Sequence, residues 1–376
     1  MARNRRPGSP PAVTIETAPA YELLLSIVVA LDHEDADTYD IGPEWIREAR
    51  ERAGAELLER LEAVSFGDAD TFRHLLGLAY ESPAPRDLPT FVAHLRDVDP
   101  IEIKLHLVQF YARDVRRMTP PATIRAAVAG DAEAASEFLR TSHPEWEPWT
   151  AYLRAVLDAD AGWIKDELIV VLAEWADRVW KPESLTIVPI LERDAAAKRE
   201  LQRDLPLDRF VTTATNGVEF APRPGIDRLV LIPSFVQRPL VGHLEVGEVM
   251  IIVFPVADES VSAETDAPPL RLVRLSKALG DEKRLRILRA LAEGEKTLME
   301  LAESFGVAKT TMHHHMIVLR SAGLVSVGVG SKRYRLRHET VPDVGALLSG
   351  YLGAASDPSA AARSPASPKV AGEGRS

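Results

Sequence analysis

Three consecutive histidines, His313 to His315, lie in a chain that contains no cysteine. Imidazole is the commonest metal ligand in proteins and the usual general base near neutral pH, so this run raises the question of a metal or catalytic site. The surrounding stretch, AKTTMHHHMIVLR, repeats apolar side chains at helical spacing. Successive residues of a helix point about 100° apart. The three rings therefore cannot converge on one ion, and we predict neither a metal site nor a catalytic site here.

The rest of the chain carries no recognisable catalytic pattern. The absence of cysteine from the composition excludes disulfides and thiol chemistry. We find no nucleophile elbow, phosphate loop, HExxH motif or dinucleotide fingerprint. We therefore expect no catalytic residue, no cofactor and no enzyme activity. The remaining histidines before residue 300 are scattered singly, which favours surface or core roles; they are His33, His74, His94, His106, His143 and His243.

The charge of the chain is distributed unevenly. Its 376 residues are 46% hydrophobic and 27% charged, which is typical of folded domains, and the net charge is −11. Residues 270–340 contain fourteen Lys/Arg and seven Asp/Glu, a net charge of +7, so the remainder carries −18. A basic module on an acidic body is the asymmetry expected when one domain binds phosphates and another does something different.

The basic module has the order of elements of a winged helix-turn-helix. Glycines 280, 294 and 306 end successive helices, Asp281 is a predicted N-cap, and Thr297 to Glu300 has the spacing of a capping box. Two strands around a glycine-containing turn follow at 324–327 and 332–337. In such a fold the fourth helix, with Met312, Met316 and Leu319 on its buried face, enters the major groove of DNA.

Three stretches of this module resemble the ArsR-type winged-helix repressors: ALGDEKRLRILRAL, ELAESFGVAKTTMHHHMIVLRSAGLV and the basic hairpin that follows. The resemblance covers about residues 270–352. It implies a homodimer that presents two recognition helices to double-stranded DNA, with the hairpin, the wing, on the backbone or minor groove. His315 lies nearer the core than its neighbours, so we assign it a structural hydrogen-bonding role. The residues expected to contact DNA are Lys309, Thr310, Thr311, His313 and His314 on the helix and Ser331, Lys332, Arg333 and Arg335 on the wing.

The module departs from the family pattern at several positions. Ala308 stands where a small polar N-cap is usual, and Ile317 where a polar residue is usual. The cysteine pair of the metal-sensing members would fall within 297–303, where no cysteine exists, and the last helix offers only Asp343 as a ligand. We therefore expect a regulator that does not sense metals.

About 255 residues precede this module and combine helices with strands. Residues 43–182 are predicted to be mostly helical. Short β-rich runs at 185–190, 210–213, 218–220, 228–232 and 249–256 predict a small antiparallel sheet. This layout resembles a subgroup of ArsR-type regulators in which an N-terminal domain of unassigned function is fused to the winged helix.

Five of the six tryptophans lie between Trp146 and Trp180. They could line an apolar pocket or fill the core of a helical domain, and the core is favoured because large aromatic side chains dominate core burial.

The predicted fold class is therefore α+β, a mixed helical and antiparallel-sheet N-terminal domain followed by a winged helix-turn-helix. The predicted function is sequence-specific DNA binding by a cytoplasmic transcriptional repressor whose N-terminal domain senses a small-molecule or protein effector. The alternatives are an enzyme or a protein-interaction domain tethered to a DNA-binding module. The longest early apolar run, Leu23 to Leu31, is too short to span a membrane. The predicted boundaries are a tail at 1–12, the N-terminal domain at 13–257, a linker at 258–269, the winged helix at 270–352 and a tail at 353–376.

Overall fold

A computed structural model describes residues 10–142, 147–261, 268, 270–328, 333–340 and 343–354. The chain divides into two compact units, Met1–Ser262 with Val327–Arg333 and Ala263–Ser326 with Tyr334–Ser376. Among the helices in these described ranges, none is long and apolar enough to cross a membrane.

The first unit is mostly helical. A π-helical turn, Ala176–Trp180, joins α12 to α13, and a 3₁₀ helix, His33–Thr38, follows α1. The helices are α1 Pro19–Leu31, α2 Gly42–Ala53, α3 Ala55–Ser65, α4 Asp70–His74, α5 Leu76–Glu81, α6 Leu88–Asp97, α7 Pro100–Leu107, α8 Arg113–Met118, α9 Pro121–Val128, α10 Ala132–Thr141, α11 Glu147–Asp158, α12 Ala161–Trp175, α13 Lys181–Asp204, α14 Leu207–Ala214 and α15 Asp258–Val261. The strands are β1 Ala12–Ile15, β2 Val218–Glu219, β3 Arg228–Ser234, β4 Gly242–Val246 and β5 Val249–Pro255.

The main sheet of this unit is mixed, whereas the sequence predicted an antiparallel one. Its strand order is β1-β3-β5-β4, with β1, β3 and β5 parallel and only β4 antiparallel to β5. Alternate residues of β3 enter two different cores: Val230 and Ile232 pack on one face, Leu229 and Leu231 on the other. A strand that is covered on both faces reads as a continuous apolar run, as β3 and β5 do, and this pattern is typical of parallel sheets.

Two runs predicted as strands are helical. Residues 185–190 lie inside α13 and residues 210–213 inside α14. In α13 the buried residues Ile187, Ile190, Leu191 and Asp194 recur at helical spacing, so burial on one helix face outweighs the β-branched composition of the run. The predicted strands near 218, 228 and 249 are confirmed, and β4 had not been predicted.

The tryptophan-rich region fills a core. Trp149, Trp175 and Trp180 are buried, whereas Trp163 is 42% exposed. The Trp175 indole N–H donates to Ser26 Oγ at 2.9 Å, which ties α12 to α1. Trp146 lies outside the described residues. The three buried side chains support the core interpretation over a pocket.

The winged-helix region, residues 270–354, contains the predicted helices and wing, and all of it except Val327–Arg333 belongs to the second unit. Its helices are α16 Leu270–Leu279, α17 Glu282–Ala292, α18 Leu298–Phe305, α19 Lys309–Ser321 and α20 Asp343–Ala354. Its strands are β6 Lys296–Thr297, β7 Val325–Gly328 and β8 Arg333–Leu336, and β8 lies between β7 and β6. In α17 the buried residues are Ile287 and Leu291, whereas Leu285 is 47% exposed.

The segment predicted as a linker, 258–269, is in part structured. Asp258–Val261 forms α15, which packs on α13 in the first unit. Residues 262–267 and 269 lie outside the described residues, as do most of the two predicted tails, 1–9 and 355–376. Residues 353 and 354 belong to α20.

Candidate nucleic-acid interface

The helix-turn-helix is formed by α18 and α19 and begins with a capping box. Thr297 Oγ1 accepts a hydrogen bond from the backbone N–H of Glu300 at 3.2 Å, and Glu300 Oε2 accepts one from the N–H of Thr297 at 2.7 Å. Gly306 ends α18 in the left-handed region, with φ at 62°, which residues with a side chain rarely adopt. The chain therefore turns sharply enough to start α19 after two residues.

One face of α19 is anchored in the core of the unit. Met312, Met316 and Leu319 are at most 1% exposed, and His315 is 9% exposed. These positions follow helical spacing, so they determine which residues point away from the core. The predicted buried face is confirmed.

The opposite face of α19 carries polar residues along its N-terminal half. All five are exposed, and together they form the recognition face: Lys309, Thr310, Thr311, His313 and His314. Their side chains offer hydrogen-bond donors and acceptors suited to base edges, and Lys309 adds a positive charge at the first turn. The structure thus brings together all of the predicted helix contacts.

His315 lies on the buried side of α19, whereas His313 and His314 are exposed, and its ring stands edge-on to that of His314 with the ring centroids 6.4 Å apart. Its Nδ1 is buried and has no hydrogen-bond partner among the described residues, so the predicted structural hydrogen bond at this atom is not seen. Burial lowers the pKa of His315, and the nearby Asp281 carboxylate opposes this shift. The ring is therefore neutral at neutral pH. In the part of the chain that the structure describes, no group of three metal-ligating side chains is assembled.

Two arginines of the wing, Arg333 and Arg335, differ in their exposure to solvent. Arg335 is exposed and its Nε donates to Glu295 Oε1 at 2.8 Å. Arg333 is half-buried, and Tyr334 between them is buried. The Arg335 guanidinium is therefore already paired with an acidic side chain. No local sequence pattern predicts this pairing, because the two residues are 40 positions apart. The other predicted wing contacts, Ser331 and Lys332, lie outside the described residues.

The N-cap of α19 offers a test of stability. Ala308 has extended backbone angles at this position but no side chain that can accept a hydrogen bond. Ala308→Ser is expected to raise the free energy of unfolding of the second unit by about 1 kcal/mol, because its hydroxyl can accept from the first turn. Denaturant unfolding of the full chain, followed by a signal from the second unit, measures this change in the free energy of unfolding. Ala346→Ser, an exposed position inside α20, is the control and should be neutral or slightly destabilising. An equal response of both variants would contradict the prediction.

Comparison with known proteins agrees with this geometry. Residues 281–327, from the N-cap of α17 into β7, match the family model described as bacterial regulatory protein, arsR family. The match does not include the 280 residues that precede it, and no curated protein matches the chain. Residues 281–327 are therefore an ArsR-family helix-turn-helix domain, which indicates DNA-binding transcriptional regulation.

Proposed function

We propose that this chain is a transcriptional repressor that binds double-stranded DNA with α19 in the major groove and the wing on the backbone. The observation that carries the proposal is the recognition face, five exposed polar residues set opposite a buried Met312/Met316/Leu319 face. Such an arrangement keeps the helix rigid while its polar side chains contact base edges and phosphates. The proposed location is the cytoplasm, because the DNA of a bacterial cell lies there.

The same proposal includes a homodimer. Residues 344–354 of α20 contain no charged side chain, yet Leu348 is 47% exposed and Leu352 58% exposed. A second copy of the helix would remove these leucines from water, which is favourable by about 25 cal/mol per Å² of apolar surface. Two copies would then present their recognition helices about 34 Å apart to a near-palindromic site.

The first unit is proposed to sense a small-molecule or protein effector other than a metal ion, and to have no catalytic role. The absence of cysteine removes the thiolate ligands of the common metal sensors. An open cleft of about 570 Å³ lies beside α2 and α3 and combines Ile46 and Leu58 with Arg47 and Arg50. Its volume is within the range that small ligands occupy. An effector that binds this unit should raise its melting temperature.

Selection of duplexes from a random DNA pool by the full chain tests the proposed function. We expect enrichment of a discrete motif with two half-sites.

For the selected duplex, Lys309→Ala should reduce the slope of log affinity against log salt by about one, because one phosphate contact is lost. Arg333→Ala should act in the same way if its side chain reaches the backbone. His313→Ala and His314→Ala should change base preference and leave the slope unchanged. Recovery of unrelated sequences would reject sequence-specific binding.

A further inference from the structure

The shortest helix of the first unit, α15, is also its last element before the DNA-binding domain in sequence. It has four residues, Asp258–Val261. A single helical turn is unstable by itself because nucleation fixes several backbone angles for few hydrogen bonds. Contacts with the rest of the first unit must therefore hold α15 in place.

One set of contacts comes from α13. Asp194 is fully buried, and its Oδ1 accepts hydrogen bonds from the backbone N–H of Ala257 at 2.7 Å and from Ser260 Oγ at 3.1 Å. The ammonium of Lys198 donates to both Asp194 oxygens, at 2.5 and 2.6 Å. Arg193 donates through two nitrogens to Ser260 O. Both ends of α15 are thus fixed to α13.

The second set comes from the last residue of β3 and the turn that follows it, residues 234–238, here called the junction loop. Arg238 is 2% exposed and pairs with Asp258 on one side and Asp40 on the other, the latter with Nε and Oδ2 3.6 Å apart. The backbone N–H of Asp40 donates to Arg238 O at 2.8 Å. The two carboxylates are 20% and 23% exposed, but the guanidinium is buried, so removing either carboxylate would leave a buried charge less fully compensated.

The other end of the junction loop is bound by α1. Glu22 is buried, and its Oε1 accepts from the backbone N–H groups of Phe235 at 2.7 Å and Val236 at 2.8 Å. Ser234 Oγ accepts from the N–H of Gln237 at 3.2 Å. A segment of five residues, held by the buried Glu22 near its start and by its own buried Arg238 at its end, therefore connects α1 with α15.

We propose that the junction loop and Asp194 form a latch that holds α15 in place and transmits a change at Glu22 in α1 to the segment that precedes the DNA-binding domain. An effector that shifts α1 would displace the junction loop and so release α15. Effector binding would thereby be coupled to the release of α15, which precedes the DNA-binding domain in sequence. The regulatory consequence rests on the proposed function, whereas the latch itself is a property of the first unit.

Residue-resolved amide hydrogen exchange on the full chain tests the latch. Asp258→Asn removes the charge that pairs with Arg238. We expect exchange at Ala257 and Ser260 to become about tenfold faster and exchange at Phe235 and Val236 to rise with it, since a released junction loop also loosens its bonds to Glu22. The matched control is Glu174→Gln, which removes one of the two carboxylates that pair with Arg60 in α3. The Glu174 side chain is 30% exposed, close to the 23% of Asp258. It should leave all four amides unchanged.

Unchanged exchange at Ala257 and Ser260, or a change confined to these two amides, would overturn the proposal. If Asp258→Asn does not fold, Arg238→Lys replaces it, because lysine keeps the charge but lacks the planar fork that reaches two carboxylates. Failure of the wild-type chain to select any DNA site would reject the proposed function, and the four amides would still decide whether the latch exists.

Discussion

The full chain carrying Lys309→Ala, His313→Ala and His314→Ala is expected to lose about a hundredfold or more of its affinity for the selected duplex, since specific base contacts contribute about 1–3 kcal/mol each. All three side chains are exposed on the recognition face, so their removal should change the free energy of unfolding little. Binding to unrelated DNA should fall less, because it depends on charge and not on the base contacts expected of the two histidines.

Fluorescence anisotropy with the selected and an unrelated duplex measures both affinities. Lys181→Ala is the control, because Lys181 is an exposed lysine of the first unit whose side chain is 79% exposed. Its effect on either affinity should be small. If the triple variant and the wild type bound the selected duplex equally well, the proposal that α19 is the recognition helix would be rejected.

The second large effect is on the pH dependence of the stability of the first unit. Burial raises the pKa of Glu22 to about 7, from an ordinary value of 4.5, although the N–H groups of Phe235 and Val236 oppose the shift. The folded unit therefore binds a proton more tightly than the unfolded chain. The stability from this proton is fully present below pH 4.5 and is lost as the pH rises to 7, an effect of about 3 kcal/mol.

The contribution of His74 to the stability of the first unit changes with pH in the opposite direction. Its Nε2 accepts from the Gln109 amide at 2.9 Å, and its ring stands edge-on to Trp149. Burial lowers the pKa of His74 to about 4, from an ordinary value of 6.5, so the folded unit keeps the ring neutral. Stability is lost as the pH falls from 6.5 to 4, again by about 3 kcal/mol.

These two contributions nearly cancel in the wild type between pH 4.5 and 6.5. In Glu22→Gln, which keeps an acceptor for both N–H groups, the free energy of unfolding should rise with pH relative to wild type. In His74→Gln it should fall. Urea unfolding followed by tryptophan fluorescence measures both slopes, because all six tryptophans lie before residue 181, in the first unit. Parallel pH profiles for the two variants would show that neither group is perturbed.

The winged helix could be predicted in detail because its signals are local. Asp281, the Thr297–Glu300 capping box and Gly306 each mark a helix end within a few residues, and the observed caps lie at these positions. The pairing of Arg335 with Glu295 could not be predicted in this way. It depends on how β8 and β6 are brought together in space.

The first unit was harder to predict because its contacts are distant in sequence. β1 pairs with β3 across more than 200 residues, so its direction cannot be read from any turn. The runs within α13 and α14 are rich in β-branched residues, and only their burial spacing shows that they are helical. Glu22 and the junction loop whose N–H groups it binds are likewise more than 200 positions apart.

The division of α19 into two faces has a consequence for how such a regulator diverges. Met312, His315, Met316 and Leu319 hold the helix in its unit, and the exposed residues do not contribute to that packing. After gene duplication, substitutions on the exposed face would therefore alter the DNA sequence that is bound while the fold is retained. Of the three adjacent histidines, His313 and His314 lie on the exposed face, and His315 is constrained by the core.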